Sequence, residues 1–219
     1  MGKKLMETIY IFSEWFYRIF YLNVLWMLGT AAGFGFLGFF PSIAATICTL
    51  QILWEEGDMK EISVLSVFKA NYKKHFKLSN QIGYSLSIAV AVLVTDLAVL
   101  ASWESLLFQL LSAVLFIILV IAFVFSSLIF FIISKFELGF FNTLKQGVFI
   151  VFSYPAHVFL NGIVLAVFLL TFYLIPFISV LGGIVVLFLI NTWIIQSIFK
   201  RIRKDQSTLL KTGSLNKGG

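Results

Sequence analysis

Asp96 is the one acidic residue inside an apolar run, "SIAVAVLVTDLAVLAS", residues 87 to 102. A carboxylate inside a membrane span is costly, and its usual chemistry is to pass ions or protons or to pair with a neighbour. It lies six residues from the end of the run, about 9 Å along a helix. Two readings are therefore open, a site in the span or an interfacial carboxylate that reaches water. No basic residue accompanies it in the run, so no proton relay is suggested. The other reactive side chains are scattered. His75 sits among lysines, where a surface position is expected, and His157 falls at the start of an apolar segment. Cys48, the single cysteine, permits no disulfide framework. HExxH, CxxC, GxSxG and Walker patterns are missing, so the expectation is no enzyme, no catalytic residue, no bound metal and no cofactor. Asn23, Asn161 and Asn191 lie in apolar context, where amides bond neighbouring helices or line a substrate path.

"GFGFLG", residues 33 to 38, fits the dinucleotide pattern GxGxxG. That site needs a strand before the glycines, and here an apolar helix precedes them. Packing is the better account. Gly29 and Gly33 are spaced as GxxxG, Ala31 and Gly35 make a second small pair, and such faces let helices approach closely.

The elements that must position these residues are membrane helices. The 219 residues are 60% hydrophobic and 12% charged, with 26 phenylalanines, whereas soluble domains carry about a quarter charged residues. The fold class expected is an all-α polytopic membrane protein in one domain, residues 1 to 204, followed by a polar, flexible tail, residues 205 to 219. Lys3, Lys4, Glu7, Glu14 and Arg18 precede the first apolar run without a signal-peptide core, so that run is expected to be retained.

Residues 19 to 54 are 36 consecutive uncharged residues, about 54 Å as one helix against a hydrocarbon core of about 30 Å. A break in "GFFPS" resolves the mismatch. Gly38 and Pro41 mark it, because proline suits a first helical turn and forces the preceding Phe40 out of the α region. The second piece, Pro41 to Trp54, would rise only about 21 Å, short for a crossing. A helical hairpin that returns to its starting side is therefore expected. Four clear spans follow, Ile82 to Ser102, Leu106 to Ile133, Pro155 to Ile175 and Phe177 to Phe199.

Charge sets the orientation. "SWES" and "IPFIS" carry no lysine or arginine, and with a hairpin at the N-terminus all 16 basic residues fall on one side. By the positive-inside rule that side is cytoplasmic, with both termini inside and the bacterial cytoplasmic membrane as the location. The net charge of +6 is then a leaflet bias, and no nucleic-acid partner is expected. Phe68, Tyr72 and Phe76 form a row beside Lys69, Lys73 and Lys77. Two readings fit: a helix in the headgroup plane with its lysines on anionic lipid, or a helix packed under the bundle with solvated lysines. An amphipathic stretch, a span, a short turn and a second span recur over 59 to 133 and 136 to 199, a weak internal repeat.

"NVLW" (Asn23 to Trp26), "GFFPSIAAT" (Gly38 to Thr46) and "WEEGDMKEISVLSVFKANYKKHFKLS" (Trp54 to Ser79) together resemble the YesL-like family of bacterial membrane proteins over residues 20 to 80. The family has no established activity, so the resemblance transfers no site residues. Its members tend to accompany carbohydrate-uptake and polysaccharide-utilisation systems. The resemblance thus implies a non-enzymatic accessory or assembly subunit beside a sugar permease, with membrane lipids as further partners and homo-oligomers allowed. The alternative is a small secondary transporter or channel whose site is formed by the broken hairpin and Asp96.

Overall fold

The structure is a computed structural model that describes residues 2–56, 63–103, 105–178 and 182–197. The described residues form helices and no strands. They run α1 (Gly2–Ala32), α2 (Phe36–Glu56), α3 (Val64–Ala101), α4 (Leu106–Lys135), α5 (Phe140–Ser153), α6 (Pro155–Leu174) and the single turn α7 (Pro176–Ile178). A last helix, α8, covers Ile184–Ser197. Among the described residues four helices are long and apolar enough to cross a membrane, Phe36–Glu55, Val64–Ala101, Leu106–Lys135 and Pro155–Leu174. The chain is a multi-pass helical membrane protein.

The N-terminal hairpin exists, but its bend is not at Pro41. The chain turns at Gly33 to Gly35, and Pro41 lies inside α2. Phe34 (φ 55°) and Gly35 (φ 75°) take left-handed backbone. Gly35 N–H donates to the Thr30 carbonyl at 2.8 Å and Phe34 N–H to that of Ala31 at 2.9 Å, a Schellman closure of α1. Close backbone approach requires the neighbouring glycines. A Cβ on Gly33 would stand 2.2 Å from the Gly38 nitrogen, and one on Gly38 would stand 2.5 Å from the Gly29 and Thr30 carbonyl oxygens. Gly35 meets nothing, so Ala31 and Gly35 do not form a helix-packing pair.

Proline inside a helix removes one amide, which here would have bonded the carbonyl of Leu37. Asn80 of α3 supplies the missing donor, its Nδ2 lying 3.0 Å from that carbonyl oxygen. Phe40 consequently remains helical, and the second arm of the hairpin runs 21 residues instead of the 14 expected from Pro41 to Trp54.

α2 is the central helix. From Pro41 to Gln51 only Ile43 is not fully buried. Ala44 and Ile47 join a core built on Ile82 of α3, Leu128 to Ile133 of α4, Ile150 and Ile195. Ala45, Leu50 and Leu53 join a second core with Leu22, Leu25, Phe68 and Val185. An apolar helix buried all round is the expected signature of such a position.

The first span expected, Ile82 to Ser102, proves to be the second half of a continuous 38-residue α3 that also contains the amphipathic stretch. Ser63 caps its start by accepting from Ser66 N–H. The second copy of the suggested repeat is broken at the same point by Pro155, with Tyr154 non-helical (φ −130°, ψ 56°), the conformation that a following proline favours. The spans from Leu106 and Pro155 stand with ends shifted by one or two residues. Of the expected span Phe177 to Phe199, the described residues show the turn Pro176–Ile178 and the 14 residues of α8. Residues 179 to 181, 198 and 199, and the tail 205 to 219, lie outside the described residues.

Replacing Asn80 by Leu should lower the unfolding free energy of the detergent-solubilised protein by about 1 to 3 kcal/mol, because the Leu37 carbonyl is left bare. In a Pro41→Ala background, where the helix supplies its own donor, the same replacement should cost less than half as much by thermal unfolding.

Candidate functional site

The polar and charged residues divide into four places. The first is the contact of α3 with the hairpin. Tyr72 hydroxyl donates to the Gly29 carbonyl at 3.0 Å, Asn80 to Leu37, and Tyr84 hydroxyl to Phe36 at 2.6 Å. Gly29 also admits Phe68, whose ring would stand 3.1 Å from a Cβ there, and Ser42 Oγ would stand at 2.6 Å. Gly83 receives the Phe40 ring, 2.3 Å from the place of a Cβ. Phe68 and Tyr72 thus face the bundle, while Lys69, Lys73 and Lys77 remain exposed on the other side of α3. His75 is buried, not at the surface. It continues the inward stripe Phe68, His75, Ser79 and Ile82, whose spacing of seven, four and three is that of one helix face.

The second place is a polar seam between α4, α6 and α8. Ser127 Oγ donates to Asn161 Oδ1 at 2.7 Å, and Asn161 Nδ2 donates to Asn191 Oδ1 at 2.7 Å. Both asparagines are fully buried. Asn23 is not part of it. It is buried on α1, with its Nδ2 4.0 Å from the Met27 sulfur.

The third place is the charged end of the helices. Lys135 at the end of α4 pairs with Glu55 at the end of α2, and Lys74 of α3 pairs with Glu137. The Lys74 ammonium, hydrogen-bonded to Glu137, holds that carboxyl below the usual carboxylate range. Arg18 pairs with Glu14 one turn before it and lies over the Trp15 ring. Trp15 in turn packs on Trp54, level with the end of α2.

Asp96 is the fourth, and it stands apart. It is exposed on the second half of α3, with no hydrogen-bond or ion-pair partner among the described residues. The hairpin tip rests on Tyr84, 12 residues and about 18 Å earlier on the same helix. The broken hairpin and Asp96 are therefore not brought into one site. Around this half of α3 the bundle opens. A groove of about 920 Å³ separates α3, α4 and α6, lined by apolar side chains such as Val90, Val94, Phe123, Phe152 and Leu169. Among the described residues no group of three or more His, Cys, Asp or Glu is placed to hold a metal. Reading the sequence missed Asn80 and Tyr84, and gave Tyr72 only a place in an amphipathic row. The signal for Asn80 was a helix-internal proline that needs a donor from elsewhere.

Residues 19 to 97, the hairpin and most of α3, match the family described as "Protein of unknown function, DUF624". The chain is 32% identical over 145 residues to the uncharacterized protein YesL of Bacillus subtilis, covering 66% of this chain and 67% of YesL. It belongs to the YesL-like family. It is also 32% identical over 121 residues to YteU of the same organism, across 55% of this chain and 52% of YteU. A third relative there, YesV, is 33% identical over 93 residues, 42% of this chain and 44% of YesV. The chain thus spans about half the length of YteU and less of YesV. No solved structure matches. The matched region contains most of the hairpin, its glycines and proline, the α3 donors and Asp96.

Asn161 and Asn191 should behave as one unit. Replacing either by Leu should cost about 1 kcal/mol, and the double replacement should cost distinctly less than the sum. A double-mutant cycle on reversible unfolding in detergent measures the coupling.

Proposed function

We propose that the protein is a non-enzymatic accessory or assembly subunit of the cytoplasmic membrane that works beside a carbohydrate-uptake system. The observation that carries the accessory reading is Asp96, exposed on an α3 segment that the bundle leaves largely uncovered. Hydrocarbon cannot satisfy a carboxylate, and among the described residues no lysine or arginine pairs with it. A partner transmembrane helix with a donor or basic side chain at that depth would supply the missing interaction, and the neighbouring apolar groove would supply the packing. Carbohydrate uptake enters from the family resemblance. Sugar permeases are polytopic, which matches a partner met inside the bilayer.

The test is quantitative co-isolation from native membranes in mild detergent, with an unrelated polytopic protein as control. We expect a carbohydrate permease subunit in near-stoichiometric amount with the wild-type chain, little changed with Asp96→Asn, which keeps a polar group. With Asp96→Leu recovery should fall by about tenfold, on the order of 1.4 kcal/mol. Recovery of the wild-type chain alone, as a monomer or homo-oligomer, contradicts the proposal.

A further inference from the structure

The hairpin of α1 and α2 is long enough to cross a bilayer, yet the helices it packs on place its tip far from their own distant end. From Ile82 to Trp103 and from Ser105 to Ser134 the only charged residue is Asp96, so these parts of α3 and α4 belong in hydrocarbon. The tip is bonded to Tyr84, which is 17 residues, about 26 Å of helix, before Ala101. Phe40, near the tip, stacks on Phe130 at 5.9 Å between ring centres. Phe130 is 24 residues, about 36 Å, from Leu106. Against a core of about 30 Å, even steeply tilted α3 and α4 leave the tip roughly 18 to 25 Å short of the α3–α4 turn.

The tip is also built for hydrocarbon. Irregular backbone at membrane depth is tolerated only when its polar groups are satisfied. The carbonyls of Gly33 and Phe34 are bonded within the turn, and those of Gly29, Phe36 and Leu37 receive donors from α3. Phe34 occupies the left-handed position that glycine fills at least cost, and its ring is 95% exposed. Phe36 and Leu37 beside it are exposed as well. An aromatic ring kept there against backbone preference makes contact with something apolar.

We propose that the α1–α2 hairpin is re-entrant. It enters the bilayer from the side of the paired ends Glu55, Lys135, Lys74 and Glu137, turns at Gly33 to Gly35 in the hydrocarbon of the near leaflet, where Tyr84 lies two residues inside the apolar run that starts at Ile82, and returns. Its tip is a lipid-binding surface. Phe34, Phe36 and Leu37 contact acyl chains, and the recess of about 450 Å³ above the tip, lined by Phe39, Phe40, Tyr84 and Ile88, takes the end of an acyl chain. This inference stands independently of the accessory role.

Single cysteines at Phe34, Phe36, Trp103 and Met6, in a Cys48→Ala background, test it in sealed vesicles of both orientations. A membrane-impermeant maleimide should label Trp103→Cys from one side and Met6→Cys from the other. It should label Phe34→Cys and Phe36→Cys at least about tenfold more slowly from either side. A membrane-permeant maleimide should reach both tip positions, which separates burial in lipid from misfolding. Spin labels at the same two tip positions should be relaxed by oxygen and little affected by a water-soluble nickel chelate. Labelling of the tip at the Trp103 rate from the Trp103 side would mean a full crossing. Labelling from the Met6 side would mean a hairpin outside the hydrocarbon. Either result overturns the proposal.

Discussion

A proline in the second turn of the central helix is the constraint on which the arrangement rests. Pro41 cannot donate to the Leu37 carbonyl, and in an apolar helix bundle that carbonyl needs another donor. Asn80 fills the gap from α3, with Tyr72 and Tyr84 bonding neighbouring carbonyls of the hairpin on either side. Between apolar helices in lipid there is little hydrophobic drive to associate, so close packing and such hydrogen bonds decide the partners. The glycines complete the fit. Gly29 and Gly83 accept the rings of Phe68 and Phe40, and Gly33 meets Gly38 backbone to backbone.

This contact divides the molecule into a closed part and an open one. The closed part contains the second half of α1, α2, the first half of α3 and the end of α4, joined by Ile150 of α5 and by Val185 and Ile195 of α8, with both apolar cores and the ion pairs at the helix ends. The open part contains the second half of α3, the first half of α4 and α6, where most large side chains face outward around an apolar groove. The Asn161–Asn191 seam joins α6 and α8 to α4 near the boundary between them. Asp96 lies in the open part, away from the hairpin.

Much of the class was legible because composition and charge are one-dimensional signals. Long uncharged runs identify apolar helices, and 36 uncharged residues cannot be one straight span, which correctly demands a hairpin. The position of the bend was not legible, because proline is the stronger breaker only when nothing replaces its missing donor. Asn80 replaces it from 39 residues away, and the true bend falls where Phe34 and Gly35 can adopt positive φ. The same limit explains His75. Its lysine neighbours suggest a surface, yet its helix face is the one that Phe68 and Ile82 bury. Asn161 and Asn191 were legible as polar residues in apolar helices. Their mutual contact depends on how α6 returns beside α8, which hydropathy does not encode.

The most direct test of how α3 holds the hairpin is a distance measured in a bilayer between spin labels at Phe34 and Trp103. With the tip docked at Tyr84, pulsed electron-electron resonance should give a separation of about 25 Å or more, from 17 residues of helix at about 1.5 Å each. A narrow distribution below roughly 15 Å would place the tip beside the α3–α4 turn, which the helix rise forbids for a tip at Tyr84, and would contradict the account.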